Sequence, residues 1–225
     1  MVSTFVGIDI AGSKNTWMAA LEDQDSALRL KIQPCVVTIQ EIINLSAEGS
    51  MSAVVIDAQL SLAPADENGF RPDDDKLRSL LPAELRDWVA SFNSLMAVPV
   101  RGRLLAEAIG PTVGTILETH PRASLFLALG DDHRQPIMEY KKKTSESLSS
   151  YKERGGSEFA ARLWKAWCAK YSIVASPPRD VTDGELDALV CATVGALYHK
   201  EPRQLMRLTG AGRQAFGRGP FYVAR

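Results

Sequence analysis

Phe5-Val6-Gly7-Ile8-Asp9-Ile10-Ala11-Gly12-Ser13 decides how this chain is read: an apolar run that reaches one carboxylate and then gives way to small residues. The residues that follow, Asn15-Thr16-Trp17-Met18-Ala19-Ala20-Leu21, are again rich in β-branched, aromatic and apolar types. The small residues between the two runs therefore predict the turn of a β-hairpin. A strand of a buried sheet thus carries an acid. Burying an ion costs several kcal/mol unless something compensates it, so Asp9 is expected at the strand end, facing a cation, a group of donors or water.

Further along, Leu28, Leu30 and Ile32 alternate with Arg29 and Lys31, the pattern of a half-exposed third strand. Thr38-Ile39-Gln40-Glu41 has the spacing of a capping box and opens a helix expected over 39–48, broken by residues 46–52. Ala53-Val54-Val55-Ile56-Asp57 is then a second apolar run ending on a carboxylate. Connected through a helix by a right-handed crossover, it should lie parallel to the first strand, which places Asp9 and Asp57 at one edge of the sheet. Open α/β sheets bind ligands at that edge. From these two acids alone, a plain role for each in starting a turn or capping the next element carries equal weight.

The pattern recurs. Thr112 to Glu118 reads as a third buried strand with a carboxylate at its end, followed by Thr119-His120-Pro121, and Pro121 suits the first turn of a helix through Leu125, Phe126 and Leu129 to Gly130. Near the C-terminus, Thr182-Asp183-Gly184-Glu185 is a second capping-box match and opens a helix through Leu186, Leu189, Val190, Val194 and Leu197. Asp187 shares a stripe with Val190 and Val194. Asp183 has an easy explanation in the helix dipole, but an apolar stripe needs no acid.

The intervening segments are less specific. Residues 58–75, around Pro64, Pro72 and Asp73-Asp74-Asp75, predict a loop over the sheet edge, the acidic run being a solvated helix start. Helix formers dominate 76–90 apart from Pro82, and 103–109 predicts a short helix, with Pro99 and Gly110-Pro111 as punctuation. Residues 131–156 are polar. Their Lys141-Lys142-Lys143 run reads as a solvated face and as the best local candidate for a phosphate contact. Ser157 is expected to cap a helix whose stripe of Leu163, Trp164, Trp167 and Tyr171 belongs to the core. The tail from 203 is rich in Gly and Arg, with 221–224 as an edge strand.

At 225 residues and 45% hydrophobic content the chain can fill a proper core. With 27 acidic against 26 basic side chains it has no global positive field to draw it to nucleic acid or an anionic membrane. Cys35, Cys168 and Cys191 fit neither a metal pattern nor a disulfide framework and predict reduced, packed thiols. With no signal peptide and no apolar run near the roughly 18 residues of a membrane span, the expectation is a cytoplasmic protein with no membrane partner.

Three strand-end acids and one or two on a late helix form an oxygen-rich set suited to Mg²⁺ or Mn²⁺, hard cations that favour carboxylates. Two such ions roughly 4 Å apart can activate a water and stabilise the leaving oxygen of a phosphodiester. The metal also offsets the repulsion that would otherwise raise the carboxyl pKa values.

Val6-Gly7-Ile8-Asp9, Val55-Ile56-Asp57-Ala58, Gly69-Phe70-Arg71 with Leu77-Arg78, Ile116-Leu117-Glu118-Thr119-His120-Pro121 and Asp183-Gly184-Glu185-Leu186-Asp187-Ala188-Leu189 together resemble a family of predicted nucleases with a ribonuclease-H-like fold, catalogued as a domain of unknown function. The resemblance covers nearly the whole chain and extends distantly to Holliday-junction resolvases. It implies an α/β fold in which three antiparallel strands are followed by parallel ones and flanked by helices. Residues 1–225 would form one such domain, with loop and helical insertions around 58–111 and 131–172. Asp9, Asp57 and Asp187 would be metal ligands, joined by Glu118 and Asp183, with His120 as a proton shuttle. Arg71, Arg78, Arg101 and Arg103 would hold phosphates of DNA or RNA, and a homodimer would match the resolvases. One departure stands out: the resolvases place their two final acids three residues apart, whereas Gly184 stands here and the companion acid, Asp183, is four back. Both spacings share a helical face.

Two other readings compete. A non-enzymatic ligand- or protein-binding module with an inert acidic cleft is favoured slightly by the near-neutral charge. An ATP-dependent actin-like phosphotransferase shares the first hairpin, but it needs two such halves, and 225 residues with one visible hairpin leave no room for the second.

Overall fold

The computed structural model describes residues 3–12, 15–25, 27–49, 51–62, 69–95, 97–143, 145–209, 216–217 and 219–225. The hairpin turn at 13–14, the centre of the expected edge loop at 63–68 and much of the tail at 210–215 and 218 lie outside the described residues.

Strands β1 (Thr4–Asp9), β2 (Trp17–Gln24) and β3 (Ala27–Val36) form an antiparallel meander. Helix α1 (Ile39–Ala47) follows, its capping box closed by Glu41 N–H donating to Thr38 Oγ1 at 3.2 Å and Thr38 N–H donating to Glu41 Oε2 at 2.7 Å. It returns the chain to β4 (Met51–Asp57), parallel to β1. After β5 (Ser61–Leu62) come α2 (Pro72–Leu80), 3₁₀ turns over Ala83–Trp88 and Phe92–Leu95, and α3 (Ala97–Ile109). Then follow β6 (Ile116–Glu118), α4 (Pro121–Leu129), α5 (Arg134–Glu139), α6 (Leu148–Glu153), α7 (Gly156–Lys170), β7 (Ile173–Val174) and α8 (Asp183–Lys200). The chain finishes with β8 (Leu205–Arg207), β9 (Phe216–Gly217) and β10 (Tyr222–Ala224).

The main sheet has the order β6-β4-β1-β2-β3-β7, with β4 and β6 parallel to β1. The sheet is mixed, three antiparallel strands followed by parallel ones, as expected. Its alternation divides the core in two. Phe5, Ala53, Val55 and Leu117 face α4, α7 and α8, while Val6, Ile8, Val54 and Ile56 face Ile42 of α1 and Leu105 and Ile109 of α3. Helix α8 was expected to bury one stripe, yet every residue from Gly184 to Leu197 except Glu185 is buried. A helix covered all round is a core helix, and Asp187 lies inside it. No helix among the described residues is long and apolar enough to cross a membrane. Cys168 and Cys191 are buried and unbridged, and Cys35 is half-buried.

Several local expectations are corrected. Helix α3 begins at Ala97, not at 103, because Pro99 sits in its first turn, where its missing N–H is not needed. The strand expected from 112 begins only at Ile116, since Thr112 and Val113 N–H both turn back onto Ile109 O at 3.0 Å. Pro82 ends α2, and the helical residues beyond it form a 3₁₀ turn. The cap of α7 is Gly155 at φ 82°, not Ser157. The polar 131–156 segment holds α5 and α6, and the strand at the C-terminus pairs with β8 rather than with the main sheet.

Gly7 fixes how closely α8 approaches. A Cβ there would overlap Ala188 O and Ala192 N and stand 2.7 Å from Cys191 Cβ, so the helix would have to move bodily. Gly7→Ala is expected to lower the unfolding free energy by about 2–3 kcal/mol in urea titration. Unchanged stability would contradict this packing.

Candidate metal centre

Asp9 and Asp57 end adjacent parallel strands in direct register, so their side chains leave the sheet on the same face. That face is covered by α8, whose capped first turn sets Asp187 opposite them. One carboxylate oxygen from each of the three lies within 4.8 Å of the others. Asp9 and Asp57 are half-buried and have no hydrogen-bond partner among the described residues, whereas Asp187 is buried and held. Tyr140 Oη donates to Asp187 Oδ1 at 2.8 Å, and the Lys141 ammonium is paired with Oδ2. The segment bearing these two residues is itself clamped: Tyr151 Oη donates to Tyr140 O at 2.9 Å, and Arg154 Nη2 donates to Lys141 O at 2.7 Å.

The electrostatics follow from crowding acids away from water. Burial, opposed by Lys141 and reinforced by Asp187, pushes the Asp57 carboxyl up to about 7. Burial likewise raises Asp9 well above its ordinary range, with Asp187, Asp57 and Asp183 adding to it and Lys141 opposing. Asp187 is raised by burial against the pull of Lys141. Conversely, the acids outweigh burial at Lys141 and hold its ammonium firmly protonated. The cluster thus draws a cation toward it, and Lys141 already supplies one beside Asp187. An all-carboxylate donor set of this kind fits a hard divalent cation.

The raised carboxyls make a pH prediction. A folded-state pKa above the unfolded one contributes stability that is full below the unfolded value and is lost as pH rises through the folded value. For Asp57 that window runs from its ordinary 3.8 to about 7. The melting temperature of metal-free protein should therefore fall between about pH 5 and about pH 8, and Mn²⁺, which binds the ionised form, should flatten the trend. A metal-free profile that rises over that interval would contradict the crowding.

The other expected site residues are placed differently. Glu118 pairs in register with Ile56, one residue short of Asp57, and so points to the opposite face of the sheet. There it meets Arg71, which is only 2% exposed and also holds Asp74. Arg71 is thus an internal ion-pair partner that, with Glu118, also lines the cavity above Asp9 and Asp57, and Asp74 is buried, not part of a solvated run. Arg78 donates to Arg86 O at 2.8 Å and Val89 O at 3.2 Å and stacks on the Phe70 ring. Arg101 and Arg103 are half-buried on α3, where burial and the neighbouring Arg71 lower the Arg103 pKa. His120 caps α4: its Nδ1 accepts Ala123 N–H at 3.2 Å, so Nε2–H donates to Trp88 O at 3.0 Å. Burial pushes its pKa down to about 4. Both ring nitrogens are engaged in this cap, and the ring lines the cavity above Asp9 and Asp57. Asp183 lies one turn before Asp187, outside the group of three, and its Oδ2 accepts Lys142 N–H at 3.1 Å.

Tyr140 is the site residue that the sequence does not announce; Lys141 is expected there as a solvated or phosphate-contacting side chain, not as the partner of Asp187. The available signal was the apolar Pro136-Ile137 and aromatic Tyr140 immediately before it, which bury that end of the run. Above the acids a cavity of about 520 Å³ opens along the carboxyl edge of the sheet, and Asp9, Asp57 and Lys141 line it.

Fold and site together define a mixed α/β protein with an acidic centre able to hold a divalent cation at its sheet edge. No family model matches the chain, and no curated protein matches it significantly in sequence. Among solved structures, that of Thermus thermophilus RuvC aligns with 15% identity over 89% of this chain and 96% of the other, at a TM-score of 0.35. The description of the fold as a mixed α/β sheet with Asp9 and Asp57 in register rests on the strand order and pairing, not on that overlap.

Proposed function

We propose that the chain is a divalent-metal-dependent hydrolase of phosphodiester bonds in nucleic acid or nucleotides, with Asp9, Asp57 and Asp187 as its metal ligands. The observation that supports this best is the convergence of three carboxylates from three separate elements, oxygens within 4.8 Å, two of them on the wall of one cavity. Acids buried together without hydrogen bonds are costly to the fold, and such clusters mark functional sites. Mg²⁺ or Mn²⁺, as one ion or a pair, would supply Lewis-acid polarisation of the phosphoryl group and an activated water. The chain's own residues do the remainder. Tyr140 fixes the orientation of Asp187, Lys141 balances part of the acidic charge and faces the cavity where a phosphate would enter, and α8 holds Asp187 against the sheet.

Labelled single-stranded, duplex and branched DNA and RNA, incubated with Mg²⁺ or Mn²⁺ and with wild type or identically purified Asp9→Asn, test the reading. Cleavage by wild type alone, stopped by chelation, is expected. Metal binding without any phosphodiester turnover would point instead to the binding-module reading.

A further inference from the structure

We infer that the cavity over the acidic centre receives one unpaired nucleotide, so that the substrate is a small nucleotide phosphodiester or a strand end, not an intact duplex or junction. The inference rests on the metal-dependent reading of the same site and adds the shape of what binds there. A volume of about 520 Å³ lies in the range of small-molecule sites and is far too small to admit a duplex. Its lining is mixed in character. Asp9, Asp57 and Lys141 stand where a phosphate and its cation would sit, Arg71, Glu118 and Arg122 are held in internal ion pairs or hydrogen bonds, and Trp88, Leu95 and Val98 add half-buried or exposed apolar groups suited to the face of a base.

Gln59 adds a polar feature to that lining. Its side chain is 7% exposed, and its Nε2 donates to Asp74 Oδ2 at 3.1 Å and Ala90 O at 3.2 Å, which fixes the amide. The opposite atom, Oε1, is buried with no hydrogen-bond partner among the described residues. Buried acceptors are almost always satisfied; this one has almost no exposed surface, so a small shift of the Gln59 side chain would be needed to offer it to a ligand donor such as a base amino group or a sugar hydroxyl. The cations around the site point the same way. A duplex is gripped by a row of open Lys and Arg side chains. Of the cations that line the cavity, Arg71 is spent on Asp74 and Glu118, Arg122 on Ile137 O, Met138 O and the Trp88 ring, and Lys141 on Asp187.

Calorimetric titration of the full chain, with and without Mn²⁺, tests this against adenosine 5′-monophosphate, a 5′-phosphorylated single strand, a hairpin-capped duplex and a junction with capped arms. AMP should bind, the capped duplex and junction should not compete with it, and Val98→Trp, which fills the cavity, should weaken AMP by at least about tenfold while Mn²⁺ still binds. Binding of the single strand as well as AMP identifies a strand end as the source of the nucleotide; binding of AMP alone identifies a free nucleotide; either supports the inference. It is overturned if capped duplex or junction binds as tightly as AMP, if Val98→Trp leaves AMP binding unchanged, or if Mn²⁺ binds and AMP does not. Should AMP bind as described without any Mn²⁺ binding, the metal reading alone falls.

Discussion

Arg71→Ala is expected to lower the unfolding free energy by about 3–5 kcal/mol, the scale on which breaking a buried ion network destabilises a fold. Arg71 spans two buried carboxylates at once. Its Nε and Nη2 donate to Asp74 at 2.9 and 2.7 Å, its Nη1 and Nη2 to Glu118 at 2.9 and 2.5 Å, and Nη1 also to Ser61 Oγ at 2.9 Å. Glu118 takes one further donor, Leu60 N–H, at 2.8 Å. Removing the guanidinium leaves two acids buried side by side. Lysine should not rescue, because a point charge cannot span both carboxylates as the planar fork does. Adding Glu118→Gln to Arg71→Ala should recover part of the loss by removing one stranded charge. Burial already raises the Glu118 pKa against the opposing pull of Arg71, so without Arg71 it climbs further and the penalty should ease at acid pH. Urea melts of the three variants check this, and a loss under about 1 kcal/mol for Arg71→Ala would contradict the network.

At Asp9 the expected effect is large on chemistry and small or reversed on stability. Asp9→Asn should reduce phosphodiester cleavage by at least about 10²-fold, the scale set by removing one electrostatic contact to the reacting group. The metal-free protein should meanwhile melt no lower than wild type. Asp9 has no hydrogen bond to lose among the described residues, and burial with Asp187, Asp57 and Asp183 raises its carboxyl, so the isosteric amide removes a repulsion. Asp187→Asn should behave oppositely and destabilise, because Lys141 is left beside the acids without its partner. Cleavage rates and melting temperatures of the two variants separate these outcomes. Equal destabilisation by both would mean that the acids are structural, not a binding site kept at the expense of stability.

Much of the scaffold is written locally in the sequence. The runs ending at Asp9 and Asp57 carry both the strands and their parallel relation, and the Thr38 and Thr182 capping boxes give α1 and α8, while Pro121 gives α4. Those are short-range signals, and with a parallel register they suffice to bring Asp9, Asp57 and Asp187 together. Glu118 escaped because a run ending on an acid does not reveal register: aligned with Ile56 instead of Asp57, it faces the other way, and a one-residue offset inverts a strand's faces. The ion pair of Arg71 with Glu118 escaped because a guanidinium that grips a phosphate and one that grips Glu118 look alike in sequence. Lys141 is drawn in by Tyr140 and Arg154, contacts made across α5, α6 and α7 that no local pattern encodes.

The most direct measurement is Mn²⁺ binding by calorimetry to wild type, Asp9→Asn and Asp187→Asn at neutral pH. Saturable binding by wild type that each substitution weakens by at least about tenfold is the predicted result. Wild type that binds no Mn²⁺, or variants that bind it as wild type does, would contradict a metal centre built on Asp9, Asp57 and Asp187.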